Sequence, residues 1–209
     1  MKEKITINCH SSIRIEGEQV IYFDPFKIEK ESHDADLIFI THDHYDHYDR
    51  DSIKKVIKET TKIVIPDKMA TQVLGVFPPR NVVGVIPNES YEIEGILVET
   101  LPSYNVNKAF HPRNKDWVGY IITLGEEKIY VAGDTDVTKE NLDVSCDIAL
   151  IPIGGVYTMT YQEGAELINK IKPKTVIPTH YGEIVGDLSD GEKFSKLLLL
   201  DIECFLLIK

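Results

Sequence analysis

Short apolar runs rich in β-branched and aromatic residues alternate with turn residues through the first part of the chain. Residues 5–7, 13–15, 20–23 and 37–41 have the length and composition of strands. From 51 to 59 the period changes, and Ile53, Val56 and Ile57 fall on one face of a predicted helix. Residues 62–65 predict a strand stopped by Pro66, and 68–74 a second helix. Strand patterns return at 82–86, 96–101, 118–124 and 128–132. Beyond them strands and helices alternate. Runs 147–151 and 174–178 read as buried strands, and between them Thr160-Tyr161-Gln162-Glu163 forms a capping box that opens a helix through Ala165, Ile168 and Ile171. Ser189-Asp190-Gly191-Glu192 repeats that box ahead of a helix near 193–199, and 202–208 predicts a closing strand. Meandering strands followed by alternation predict an α/β fold of two mixed sheets with helices outside.

Length changes this picture little: 209 residues suit a single domain over 1–209, large enough to bury its core without staples. Charge excludes more. With 23 basic and 34 acidic side chains the net charge is −11, a poor basis for wrapping nucleic acid. Cys9, Cys146 and Cys204 are odd in number, widely spaced and without a Cys-x-x-Cys pair, which fits free thiols in a reducing compartment. The segment Met1-Lys2-Glu3-Lys4-Ile5-Thr6 has no apolar core of signal-peptide length. The most apolar stretch, 197–208, is broken by Asp201 and Glu203 and is too short to span a bilayer. The expectation is a cytoplasmic protein without a membrane partner; no feature of the sequence speaks to oligomeric state.

The chemistry concentrates in Thr41-His42-Asp43-His44-Tyr45-Asp46-His47-Tyr48-Asp49. Three of the seven histidines fall within six residues, directly after a buried strand. In an extended segment His42 and His44 share a face and can meet one ion; a turn can bring Asp46 and His47 to a second. Imidazole and carboxylate suit zinc, iron or manganese. Asp134, in Gly133-Asp134-Thr135-Asp136, and His180, in Pro178-Thr179-His180-Tyr181-Gly182, also follow strands. Each alone reads as a turn former or a structural residue; three strand-end sites together point to a shared centre.

In that order, Thr-His-x-His-x-Asp-His, Gly-Asp-Thr and Pro-x-His-Tyr-Gly resemble the metallo-β-lactamase superfamily. More narrowly the chain is similar to small metal-dependent hydrolases related to ascorbate-6-phosphate lactonase. The further segments that carry this are Cys9-His10-Ser11-Ser12-Ile13-Arg14-Ile15-Glu16, Phe23-Asp24-Pro25-Phe26 and Ile151-Pro152-Ile153-Gly154-Gly155-Val156-Tyr157-Thr158-Met159. The resemblance covers nearly the whole chain. It implies a four-layer αβ/βα sandwich with two divalent ions, zinc first and manganese or iron next, between the upper edges of two sheets. His42 and His44 would hold one ion, and Asp46, His47 and His180 the other, with Asp134 bridging. His111 takes the place of the first ion's third ligand, although Phe110-His111-Pro112-Arg113-Asn114 departs from the usual Gly-His-Thr-x-Gly; Tyr104 or Asn105 is the alternative. His10 and Asp24 would orient ligands, and His33 lies in a charged loop and reads as solvated.

The implied activity is hydrolysis by a hydroxide activated between two ions, with Asp46 and Asp134 as the catalytic carboxylates and Asp46 as proton acceptor. Lys108, His111, Arg113 and Lys115 crowd one loop of an acidic protein. Lys108 and Arg113 would then meet a small anionic substrate, a phosphorylated lactone or a phosphodiester. Trp117 and Tyr104 serve either the pocket or the core. Two other classes compete: an iron-bearing redox protein, which usually carries a flavin domain this length leaves no room for, and a metal-binding module without turnover, which the full ligand set disfavours.

Overall fold

Residues 4–73 and 75–209 are described by the computed structural model. Residues 1–3, part of the N-terminal reading, and Leu74, the expected end of the second helix, lie outside the described residues. The chain divides into two units, Met1–Ile86 and Pro87–Lys209.

In the first unit, three strands form an antiparallel meander: β1 (Ile5–Ile7), β2 (Ile13–Glu16) and β3 (Val20–Phe23). Three more are added in parallel, β4 (Ala35–Phe39), β5 (Ile57–Pro66) and β6 (Val82–Val85), giving the order β1-β2-β3-β4-β5-β6. Ile38, Ile40, Ile63 and Ile65 pack with Ile53 and Val56 of α1 (Arg50–Val56) in one core cluster. Leu37, Phe39 and Val64, on the opposite face, are equally buried. Burial on both faces explains why these strands read as continuous apolar runs.

Two expectations are corrected here. The first helix stops at Val56, not near 59, because Ile57 turns extended (φ −68°, ψ 140°) and opens β5. Ile57 pairs with Ala35 and Lys62 with Leu37, so 58–61 bulge from the ladder. Thr61 closes the bulge: its hydroxyl donates to the Ala35 carbonyl at 2.6 Å and accepts from the Lys58 amide at 2.9 Å. β-Branching at Ile57, Thr60 and Thr61 favours this extended path. The second helix, expected over 68–74, is a 3-10 turn at Asp67–Met69 followed by α2 (Ala70–Val73).

In the second unit, β7 (Ser90–Ile93), β8 (Ile96–Pro102), β9 (Val118–Leu124) and β10 (Glu127–Val131) run antiparallel. β11 (Ile148–Pro152), β12 (Thr175–Thr179) and β13 (Glu203–Cys204) add in parallel beyond β10. α3 (Tyr161–Ile171) and α4 (Ser189–Ser195) connect them. The sequence pattern missed β7. It pairs with β8 through Glu94 (φ 49°) and Gly95 (φ 81°), a two-residue turn with both residues left-handed. The closing strand is shorter than expected, only Glu203–Cys204. The second capping box is also displaced. Asp187 accepts from the Ser189 amide and the Asp187 amide donates to Asp190, both at 2.8 Å, so α4 opens at Ser189.

In each unit the sheet brings functional candidates to strand ends. Asp24 follows β3, His42 follows β4, Asp134 follows β10 and His180 follows β12. Among the described residues no helix is long and apolar enough to cross a membrane.

The box on α3 does form: the Glu163 amide donates to Thr160 Oγ1 at 3.2 Å, and the Thr160 amide donates to Glu163 Oε2 at 2.8 Å. Thr160→Ala is expected to lower stability by about 1 kcal/mol, and Thr160→Ser to leave it nearly unchanged, in urea denaturation. Equal stability of all three forms would mean that α3 does not depend on its cap.

Candidate metal centre

Asp24 organises the donors of the first unit. Its backbone is left-handed (φ 45°), its amide donates to the Phe39 carbonyl, and its carboxylate is buried beneath the histidine motif. One oxygen accepts from the Thr41 amide at 2.8 Å; the other accepts from the Thr41 hydroxyl and from His47 Nδ1, both at 2.7 Å. Burial pushes the Asp24 carboxyl up, against the pull of His47 and Thr41 towards the ionised form. The Thr41 hydroxyl, having given its hydrogen to Asp24, accepts from His42 Nδ1 at 2.9 Å. Both rings are thereby fixed as Nδ1–H tautomers, and both offer an Nε2 lone pair.

Those nitrogens meet further donors. His42 Nε2 lies 3.1 Å from His44 Nδ1. The amides of His47 and Tyr48 donate to the His44 carbonyl, a tight turn that carries Asp46 and His47 round. His47 Nε2 is then 3.7 Å from Asp46 Oδ2, and His10 Nε2 is 3.2 Å from the same oxygen. Asp43, the intervening carboxylate, instead accepts from Gln72 at 2.7 Å.

Asn105 plays the matching part in the second unit. Its Nδ2 donates to the Tyr157 carbonyl at 2.9 Å, which fixes the amide's orientation. Its Oδ1 accepts from both the amide and Nδ1 of His111, each at 3.0 Å. His111 is therefore also an Nδ1–H tautomer, with Nε2 3.3 Å from Asp134 Oδ2. His180 Nε2 lies 2.9 Å from that oxygen. His180 is left-handed (φ 58°) and sits against Gly154, where a Cβ would come within 2.1 Å of the His180 carbonyl oxygen. Trp117 is buried, edge-on to the His111 ring at 5.5 Å.

This donor set fits divalent metal ions. His47 turns a lone pair towards the Asp46 carboxylate, and His111 turns one towards the Asp134 carboxylate. Electron-rich atoms so placed repel unless a proton or a cation lies between them. Imidazole with carboxylate is the ligand chemistry of zinc, manganese and iron. A hydrogen-bonded carboxylate or amide behind each ring is the usual support of a metal-bound histidine.

The first unit thus gathers His10, Asp24, His42, His44, Asp46 and His47, and the second gathers His111, Asp134 and His180. Lys108 and Arg113 are held differently from the bare cationic loop that the sequence suggested. Lys108 pairs with Asp136, and Arg113 with Glu140 at 2.6 Å while lying over the Tyr104 ring. Burial works against ionising Glu140, but the Tyr104 hydroxyl, its own backbone and the Arg113 and Lys139 charges outweigh it and hold the carboxyl low. His33 is exposed beside Glu31, as expected. Sequence reasoning missed Thr41 and Asn105 as ring anchors, and Gly154 as the socket for His180. For Gly154 the Gly-Gly doublet was a usable signal; for the other two there was none.

A family model described as "Beta-lactamase superfamily domain" matches residues 4–180. A UPF0173 metal-dependent hydrolase from Pyrococcus abyssi is 32% identical, over 93% of this chain and 92% of its own length. Another from Thermoplasma acidophilum is 32% identical, over 93% and 90%. The crystal structure of a candidate metal-dependent hydrolase from Parabacteroides distasonis superposes with a TM-score of 0.83 at 27% identity, covering 98% of this chain and 93% of that one. The α/β class expected from the sequence, with two mixed sheets, is the one these neighbours share.

Asp24→Asn tests the anchoring. Asparagine tolerates the left-handed backbone and keeps the shape, but removes the charge behind His47 and Thr41. Metal affinity, measured by competition with a chelator, is expected to fall about 10- to 100-fold, with the metal-free form still folded by circular dichroism but melting lower because the new NH2 cannot accept as the carboxylate oxygen did. Unaltered affinity would make Asp24 a turn residue only.

Proposed function

This chain belongs to the metallo-β-lactamase superfamily, in the group of the UPF0173 metal-dependent hydrolases, and on that premise we propose that it hydrolyses a small-molecule ester-type bond at two divalent ions. One observation carries the reading: His47 and His111, their hydrogens committed to Asp24 and Asn105, each turn a lone pair towards a carboxylate oxygen. Following the family's order of motifs, His42, His44 and His111 would hold one ion and Asp46, His47 and His180 the other, with Asp134 as a ligand common to the two. Zinc, manganese or iron suits these donors.

When bound, such ions acidify a water and polarise the scissile carbonyl or phosphoryl oxygen. The chain's own residues do the rest. Asp24, Thr41 and Asn105 keep the rings in the tautomer that binds. Asp46 takes up the proton lost by the attacking water and passes it to the leaving group. No protein nucleophile is needed: burial pushes the Cys146 thiol up to about 12 and Cys204 to about 11, far from thiolate at neutral pH. Cys9, Cys146 and Cys204 are free thiols, which accords with the reducing cytoplasm where we place the protein.

For the substrate we propose a small anion, a phosphorylated lactone or a phosphodiester. With Lys108 and Arg113 already facing carboxylates, this class rests on Arg113, whose side chain is 54% exposed and can exchange Glu140 for substrate.

Protein reconstituted with metal is expected to hold two equivalents per chain by elemental analysis, and binding of no transition metal would remove the reading. Asp134→Ala should abolish hydrolysis of lactone and phosphodiester substrates while its circular dichroism stays that of the parent; a parental rate would return Asp134 to a turn former. Arg113→Ala should raise KM for an anionic substrate more than for its neutral analogue, with the gap narrowing as salt rises. An equal response of both substrates would leave the hydrolase without an anionic preference.

A further inference from the structure

We infer that His10 is itself a metal ligand, sharing with Asp46 and His47 the ion assigned to those two residues; the inference rests on the hydrolase reading above. The sequence and the family's order of motifs suggested only that His10 orients a ligand.

The chain places His10 deliberately. After β1 the Asn8 amide donates to the Ser12 carbonyl at 2.9 Å and the Ser12 amide to the Cys9 carbonyl at 2.8 Å, which closes a tight turn. The Ser12 hydroxyl accepts from the Phe26 amide at 3.0 Å, tying that turn to the segment just after Asp24. At its apex His10 takes a left-handed backbone (φ 52°), as Asp24 and His180 do. Its imidazole is fully buried, at 0% exposure.

Spacing supplies the argument. Ligand bonds of about 2.0–2.2 Å put two donors on the same ion roughly 3.0–3.5 Å apart. His10 Nε2 and Asp46 Oδ2 are 3.2 Å apart. The pairs the family assigns fall around the same value: His42 with His44 at 3.1 Å, His111 with Asp134 at 3.3 Å and His180 with Asp134 at 2.9 Å. His47 with Asp46, at 3.7 Å, fits less well than His10 does. Two imidazoles therefore converge on a single carboxylate oxygen, and a cation beside that oxygen lies within reach of both. An additional nitrogen ligand raises the coordination number of this ion above that of a closed tetrahedral zinc site, which favours manganese or iron there.

The alternative role is a hydrogen-bond donor that merely positions Asp46. A glutamine separates the two, because its amide nitrogen reaches about as far as Nε2 and donates, yet is a poor metal ligand. Cobalt(II) is titrated into the parent chain, His10→Ala and His10→Gln, following ions bound per chain and the visible absorption, with the melting of each metal-free form as control. The expected result is that both variants keep the first ion, while affinity for the second falls more than about 100-fold and its absorption band is lost. A His10→Gln variant with parental second-ion affinity and spectrum overturns the assignment, as does an unaffected His10→Ala. A parent chain holding fewer than two ions overturns the two-metal reading itself, which the variants alone would not do. If neither variant folds, the parent decides. Proton NMR of its cobalt form should show six shifted exchangeable imidazole resonances, from His10, His42, His44, His47, His111 and His180, and only the last five overturn the assignment.

Discussion

A buried carboxylate controls the protonation of its neighbours. Asp24 accepts from the Thr41 amide, the Thr41 hydroxyl and His47 Nδ1, and through that hydroxyl it also sets the hydrogen on His42. Removing a carboxylate from water is costly, and three short hydrogen bonds are what make this burial tolerable. The geometry of the histidine motif is then a consequence: the rings can turn only so far without losing a bond that the buried charge requires. In the second unit Asn105 does the same for His111 without charge, using an amide whose orientation is fixed by Tyr157.

In both units the candidate residues depend on where strands end. β3 and β4 are parallel neighbours, so Asp24 and Thr41 leave the sheet on the same edge and meet although 17 residues apart. β10, β11 and β12 are likewise parallel, and their ends deliver Asp134, Gly154 and His180 to one edge. This is the ordinary place for a site in a parallel sheet. The close contact of Gly154 with His180 shows how little slack remains there.

Much of this was legible in the sequence. The central strands declared themselves as apolar runs because both of their faces are buried, and the histidine motif stood out because it follows such a run. The end of α1 was not legible: Ile57 continues a helical stripe as readily as it starts a strand, and the choice is made by Ala35 and Thr61 across the sheet. β7 was hidden because its turn puts Glu94, in place of asparagine or glycine, at a left-handed position. Thr41 and Asn105 were invisible as anchors for a different reason. A hydroxyl and an amide acquire meaning only from partners, and Tyr157 is 52 residues from Asn105. The partners of Lys108 and Arg113 were hidden in the same way, since Asp136 and Glu140 lie far along the chain.

Fixing the rings before any ion arrives has a consequence for uptake. A histidine in solution divides its hydrogen between two nitrogens, and an ion must wait for the right form or for the ring to flip. His42, His47 and His111 have no such choice. Their Nδ1 hydrogens are engaged, which leaves Nε2 as the nitrogen each ring would turn to a cation. Binding at these three rings would then need no exchange of tautomer, because the hydrogen already sits on the nitrogen that faces away from the ion.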